Sequence, residues 1–198
     1  DKVLGDPNRI ARTVHHRAVA VADAPGFMKQ LATVDGIGAR ALEFAVLTAA
    51  RSGEVRGATW SEFDLGKAVW TIPGARMKSG KDHRVPLSDA AMRVLSQLPR
   101  ARDRSAHAFE SPRHGPLSDM ALTTVMRRME VDAVPHGFRS TFRDWSAELT
   151  NYPNELCEAA LAHTIADKVE AAYRRGDLFD KRRQMMGDWA KFLAGRRK

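Results

Sequence analysis

Apolar residues return every three or four positions through most of this chain, a period that predicts helices packed by one face. They do so from Ala24 to Leu31 and again from Ala39 to Ala50, where Leu42, Ala45, Val46 and Ala49 form a core-facing stripe. The pattern then changes. Val69, Trp70, Thr71 and Ile72 make a β run, residues 76–78 continue it to a turn at Ser79-Gly80-Lys81-Asp82, and the chain returns through Arg84, Val85, Pro86 and Leu87. Pro86 marks the returning strand as an edge, because proline has no N–H to give a further neighbour.

Helical spacing resumes at Ser88-Asp89, with Met92, Val94, Leu95 and Leu98 on one side and Pro99 as the stop. Residues 100–116 hold too many charges and turn formers to read as core. Ser118-Asp119 is expected to cap a helix running to Met129, with Leu122, Val125, Met126 and Met129 as its apolar side. After Pro135, Phe138, Phe142, Trp145 and Leu149 lie at i, i+4, i+7 and i+11, which puts His136, Arg139 and Arg143 on another side of that helix. Leu178 to Leu193 is a last helix in which Met185, Met186, Trp189, Phe192 and Leu193 can pack. The predicted organisation is a linker end and lead-in over 1–23, then one domain over 24–198. Its class is mainly α with a small antiparallel β-sheet (α+β).

Composition narrows the setting. A chain of 198 residues, 43% hydrophobic and 28% charged, can bury a core without staples and is not a disordered tract. Its one cysteine, Cys157, excludes an intramolecular disulfide and a cysteine zinc ribbon. No apolar run approaches the ~18 residues of a membrane span, and no leader pattern is seen, so a cytoplasmic protein with no membrane partner is expected. The 32 Lys and Arg against 24 Asp and Glu leave a net +8, which points to an anionic partner such as nucleic acid. That charge is patchy: residues 174–198 hold nine basic side chains against three acids, and residues 76–113 hold nine against four.

His15, His16, His83, His107 and His114 show no metal-ligand spacing, and no glycine-rich phosphate loop occurs, so neither a metal nor a nucleotide cofactor is expected. What stands out is an ordered set. It comprises Arg51 and Glu54 in Thr48-Ala49-Ala50-Arg51-Ser52-Gly53-Glu54, Lys78 at the hairpin, His136 and Arg139 in His136-Gly137-Phe138-Arg139, His163 in Leu161-Ala162-His163, and Tyr173. This order resembles the tyrosine recombinases, the phage integrase family, over about Leu31 to Leu193. The stretches Met77-Lys78-Ser79-Gly80, Val85-Pro86-Leu87-Ser88 and Ala171-Ala172-Tyr173 are similar to those in integrases of prophages and genomic islands.

The resemblance implies a tyrosine recombinase catalytic-domain fold that cleaves and rejoins duplex DNA through a 3′-phosphotyrosine, without cofactor, during integration or excision of a mobile element. A covalent enzyme–phosphate bond keeps the energy of the broken phosphodiester, which hydrolysis would lose. Tyr173 is then the nucleophile, standing ten residues after His163, whereas Tyr152 lies on the wrong side of it. Arg51 and Arg139 would hold the non-bridging oxygens with planar, permanently charged forks. Lys78, on a flexible turn, would protonate the departing 5′ oxygen; Lys81 shares the hairpin, and the place after Met77 favours Lys78. His136 would serve as base or proton relay, His163 would donate to a phosphate oxygen, and Glu54 would pair with or orient Arg51.

Lys81, Arg84, Arg143, Arg174 and Arg175 are candidates for holding flanking DNA. Partners implied are duplex DNA attachment sites and three further copies of the chain, in a homotetramer on DNA that is weakly associated or monomeric without it. The family's N-terminal DNA-binding domains are expected to lie outside this chain, and the setting is a bacterial cytoplasm. A catalytically silent DNA-binding module and a type IB topoisomerase-like enzyme are the alternatives.

Overall fold

The computed structural model describes residues 17–99, 103, 105–163 and 177–195, so Tyr173, Arg174 and Arg175 lie outside the described residues. Described helices are α1 (Ala24–Leu31), α2 (Ile37–Thr48), α3 (Ser52–Arg56), α4 (Asp89–Ser96), α5 (Ala121–Arg128), α6 (Gly137–Leu149), α7 (Asn154–Ala160) and α8 (Phe179–Leu193). Strands β1 (Phe63–Asp64), β2 (Val69–Ile72) and β3 (His83–Pro86) form an antiparallel sheet in the order β1-β2-β3, with Trp70 opposite Val85 and Val69 opposite Pro86. Pro86 is thus on an edge strand, as its missing N–H requires. Among the described residues no helix is long and apolar enough to cross a membrane.

The α2 helix is the axis of the fold. It is apolar on nearly every side, burying Ala39, Ala41, Leu42, Phe44, Ala45, Val46 and Leu47 against α1, α3, α4, α5 and α8. A helix enclosed this way has no solvent face to pattern, so its stripe is wider than the one read from Leu42, Ala45, Val46 and Ala49. On one flank Phe44 meets Phe63, Trp70 and Phe109 with ring centroids 5.3–6.0 Å apart. On the other, α6 and α8 bring Phe142, Trp145 and Trp189 into one aromatic group, with Trp145 and Trp189 centroids 5.0 Å apart.

Four local expectations need correction. Residues 100–116 are not all outside the core: Ala108 and Phe109 are buried, because the chain bonds back to Ala58 through the Ala108 N–H and delivers Phe109 to Phe44. Ser118 and Asp119 do not cap α5 with their side chains; its N-cap is Met120, and Asp119 instead pairs with Arg56. Leu149 is 58% exposed, since α6 ends there and leaves nothing over its last turn. Residues 76–78 are not strand: Gly74–Arg76 is a 3₁₀ turn, followed by buried Met77.

The loop between β2 and β3 is closed rather than loose. The Gly74 N–H donates to Asp82 Oδ1 at 2.7 Å and the Gly80 N–H to the Met77 carbonyl at 3.0 Å. A Cβ at Gly74 would stand 2.5 Å from the Gly80 carbonyl oxygen, so the two backbones can meet only if Gly74 has no side chain. Gly74→Ala is therefore expected to lower stability by about 1–3 kcal/mol and to displace Lys78. Thermal melting checks the first effect and the rate of Lys78 amine labelling the second.

Gly137, the first residue of α6, is required for a similar reason. The Arg17–Ala18 backbone crosses it, and a Cβ there would strike both residues. The crossing segment is bonded in place, with the Val134 N–H donating to the Arg17 carbonyl at 3.1 Å and the Thr141 hydroxyl to the Val19 carbonyl at 2.6 Å. This fixes the start of α6 and, two residues on, Arg139.

Candidate active site

Three chain segments converge where α2 ends. Ala49 takes a left-handed conformation, φ +52°, which stops α2 and leaves its carbonyl pointing away from the helix. Arg51 follows as the N-cap of α3, and one carboxylate holds it twice. Its N–H donates to Glu54 Oε2 at 2.8 Å, and its guanidinium Nη1 donates to Glu54 Oε1 at 2.7 Å. The first bond is one half of a capping box, in which the third residue of a helix reaches back to the cap. Glu54 is 7% exposed and Arg51 28%, so the acid is inside and the cation faces outward. The pairing expected of Glu54 is present.

Arg139 is buried, at 5% exposure, although the periodicity of α6 placed it off the apolar face. Its surroundings explain how a cation is tolerated there. Nη1 donates to the Ala49 carbonyl and Nη2 to the Leu161 carbonyl, both at 2.6 Å. These carbonyls belong to the residues that end α2 and α7, where helices carry their partial negative charge. Nη2 also donates to His163 Nε2 at 3.0 Å. Because Nε2 accepts, the ring proton sits on Nδ1, which donates to Glu158 Oε2 at 2.7 Å. Glu158 in turn pairs with Arg143 at 3.2 Å.

Burial and the neighbouring positive charge of Arg51 bring Arg139 down to about 10, against the opposing pull of Glu54. Two guanidiniums thus repel each other while separate scaffolds hold them: Glu54 on α3 for Arg51, two helix ends for Arg139. An anion between them would relieve that repulsion.

The remaining candidates are placed as follows. His136 is the exposed N-cap of α6, one turn before Arg139. Lys78 and Lys81 are exposed on the closed loop between β2 and β3. Arg84 is engaged by Asp177 through Nε at 2.9 Å and Nη2 at 2.8 Å, and lies 4.5 Å from the Phe179 ring centre. Arg143 is half-exposed beside Glu158. Tyr152 donates its hydroxyl to Asp188 at 2.8 Å, and partial burial with that carboxylate pushes its phenol up to about 12. Cys157 is buried, and its thiol is pushed up to about 11 by burial.

Two residues near this site carry no signal in the sequence. Asp177 accepts from Arg84 and from the fully buried Arg182, whose Nη1 also donates to the Arg84 carbonyl at 2.7 Å. These bonds tie the start of α8 to β3. His83, set aside for want of ligand spacing, begins β3 and is depressed to about 4, mainly by burial, then by Arg182, with Glu54 opposing and Arg139 contributing. Only long-range folding brings it there.

The depressed His83 makes a pH prediction. The unfolded chain protonates this imidazole near 6.5 and the folded one only near 4, so stability is lost as pH falls from about 6.5 to about 4 and is unchanged by His83 below that. The loss is roughly 3 kcal/mol. Denaturant unfolding of the chain and of His83→Gln, compared at pH 7.5, 5.5 and 4.5, is expected to show the variant with the shallower fall.

Comparison with known proteins completes the picture. A model described as the phage integrase family matches residues 21–177. Prophage integrase IntA of Escherichia coli K12 is 34% identical over 149 residues, covering 73% of this chain and 36% of that protein. The integrase of Enterobacteria phage P4 is 31% identical over 200 residues, covering 90% of this chain and 46% of that protein. The chain thus spans less than half the length of these relatives. Among solved structures, XerA recombinase superposes with a TM-score of 0.58 at 16% identity, over 94% of this chain and 66% of that one. A lambda integrase (75–356) dimer bound to a COC′ core site gives 0.55 at 18% identity, over 83% of this chain and 60% of that one. At those identities the likeness establishes the fold, which is the mainly helical one with a small antiparallel sheet expected from the sequence.

Proposed function

The chain belongs to the phage integrase family, and from that premise we propose that it is the catalytic part of a site-specific DNA recombinase that cuts and rejoins duplex DNA through a tyrosine. The observation that carries the proposal is the buried Arg139 guanidinium, bonded to the Ala49 carbonyl two residues before the outward-facing Arg51, whose positive charge acts on it. Such a pair suits the charge that builds on a phosphodiester under attack. We assign residues 24–198 to the catalytic unit and 1–23 to its lead-in.

Strand cleavage is a single reversible transesterification. The Tyr173 phenolic oxygen attacks the scissile phosphorus and loses its proton to His136, directly or by relay. A phenol with a reference pKa of about 10 needs such help at neutral pH. Arg51 and Arg139 hold the non-bridging oxygens. The bond from phosphorus to the 5′ oxygen breaks, and that oxygen takes a proton from the Lys78 ammonium. The products are a 3′-phosphotyrosine and a free 5′-hydroxyl. A 5′-hydroxyl from a partner strand reverses the chemistry and completes exchange.

Tyr152 makes a poor competing nucleophile, because its hydroxyl is committed to Asp188. His163 as arranged accepts from Arg139; donating to a phosphate oxygen requires Nε2 to carry a proton and turn to that oxygen. We further propose that four copies act together on two DNA sites in the bacterial cytoplasm. Lys81, Arg143, Arg174 and Arg175 are assigned to flanking phosphates; Arg84 joins them only by leaving Asp177.

The test is covalent capture. The chain is incubated, with chelator and without ATP, with a randomised pool of nicked duplexes whose cleaved fragment diffuses away and traps the adduct. Capture by the chain and none by Tyr173→Phe is expected. Binding without capture would favour a silent DNA-binding module. Relaxation of a supercoiled plasmid without strand exchange between duplexes would favour the topoisomerase-like reading.

A further inference from the structure

Arg76 ends the 3₁₀ turn two residues before Lys78, and its guanidinium joins three elements. One amino group pairs with the Glu62 carboxylate and the other donates to the Glu54 carbonyl. The plane of the guanidinium rests on Gly57, where a Cβ would lie 3.1 Å from Nη2. Glu62 is itself fixed: its side chain is 6% exposed, and its other oxygen accepts from the indole N–H of fully buried Trp70 at 2.8 Å.

Glu54 is the residue whose carboxylate grips Arg51 through both backbone and side chain. Its backbone therefore meets Arg76 while its side chain meets Arg51. On the other side of Arg76, Met77 is buried and accepts the Gly80 N–H, and Lys78 stands exposed just past it. A planar fork can serve two acceptors on different elements at once, which an ammonium cannot do in that geometry.

We propose that Arg76 is a positioning residue that sets Lys78 in register with Arg51, so that the proton donor and the phosphate clamp are aligned through Glu54. The proposal rests on Lys78 as the donor to the leaving oxygen. Arg76 touches neither the phosphate nor the leaving group; it acts through the loop.

The test separates alignment from general support of the fold. A nicked duplex recovered by covalent capture is compared with the same duplex carrying sulfur in place of the 5′-bridging oxygen at the cleaved bond. A thiolate departs without being protonated, so only defects in proton donation are relieved by sulfur. Lys78→Ala is expected to lose about 10²–10⁴-fold on the oxygen substrate and to recover on the sulfur one. Arg76→Met is expected to lose at least about tenfold on oxygen and likewise to recover on sulfur.

An equal loss by Arg76→Met on both substrates, or no loss on oxygen, overturns the proposal. Where Arg76→Met does not fold, Arg76→Lys keeps a cation for Glu62 but cannot hold both acceptors, and the same outcomes apply to it. A Lys78→Ala variant that sulfur does not relieve removes Lys78 as the donor, and the role of Arg76 with it. Recovery by Lys78→Ala alone overturns only the role of Arg76.

Discussion

Arg139→Lys is expected to cut strand cleavage by about 10²–10³-fold, the usual consequence of removing one preorganised donor from an oxyanion site, with little change in DNA binding. Lysine keeps the charge. What it loses is the fork that contacts the Ala49 carbonyl, the Leu161 carbonyl and His163 from one plane. A single ammonium can reach at most part of that set, so it cannot be held at the phosphate by the ends of two helices. Single-turnover adduct formation against a salt-matched binding assay measures the difference. A variant as active as the parent would mean that position 139 needs charge alone.

The largest effect on stability is expected from Trp189→Ala, at about 3–5 kcal/mol. The indole is fully buried and touches Phe142, Trp145 and Phe192, while its N–H donates to the Val46 carbonyl at 2.9 Å. It therefore ties α8 to both α2 and α6. For a domain near 200 residues each kcal/mol moves the melting midpoint by about 2–4 °C, so a fall of about 6–20 °C is expected by calorimetry. Trp189→Phe keeps most of the contact but leaves the Val46 carbonyl with only the Ala49 N–H at 3.4 Å, at a cost of about 0.5–1.5 kcal/mol. Packing of Trp189, Phe192 and Leu193 against the core of this chain underlies both figures.

The sequence made the site legible because its parts are local. Arg51 with Glu54 is a spacing of three at a helix start, and His136 with Arg139 is one turn of another helix. The apolar stripes likewise located the helices. What escaped was convergence. Arg139 lies off the apolar face of α6 by periodicity, yet two helix ends meet there and their carbonyls make burial of a cation tolerable. Phe109 hides in a segment with ten polar or charged side chains among residues 100–116, whose average composition masks the buried Ala108 and Phe109. Strand β1 is two residues long, too short to alternate visibly. Arg76 and His83 gain their meaning from partners that only folding supplies.

Those escapes share a cause. Periodicity reports which face of an element is apolar, and is silent on which polar group another element will satisfy. Two buried arginines link segments: Arg139 joins α2, α6 and α7, and Arg182 joins α8 to β3.

The most direct test of the central claim is to find where DNA becomes attached. The captured adduct is digested with nuclease and protease, and the peptide carrying the nucleotide remnant is sequenced by mass spectrometry. The account predicts a 3′-linked nucleotide on Tyr173. A remnant on Tyr152, on a serine, or on no residue of a chain that nonetheless cuts DNA would contradict it.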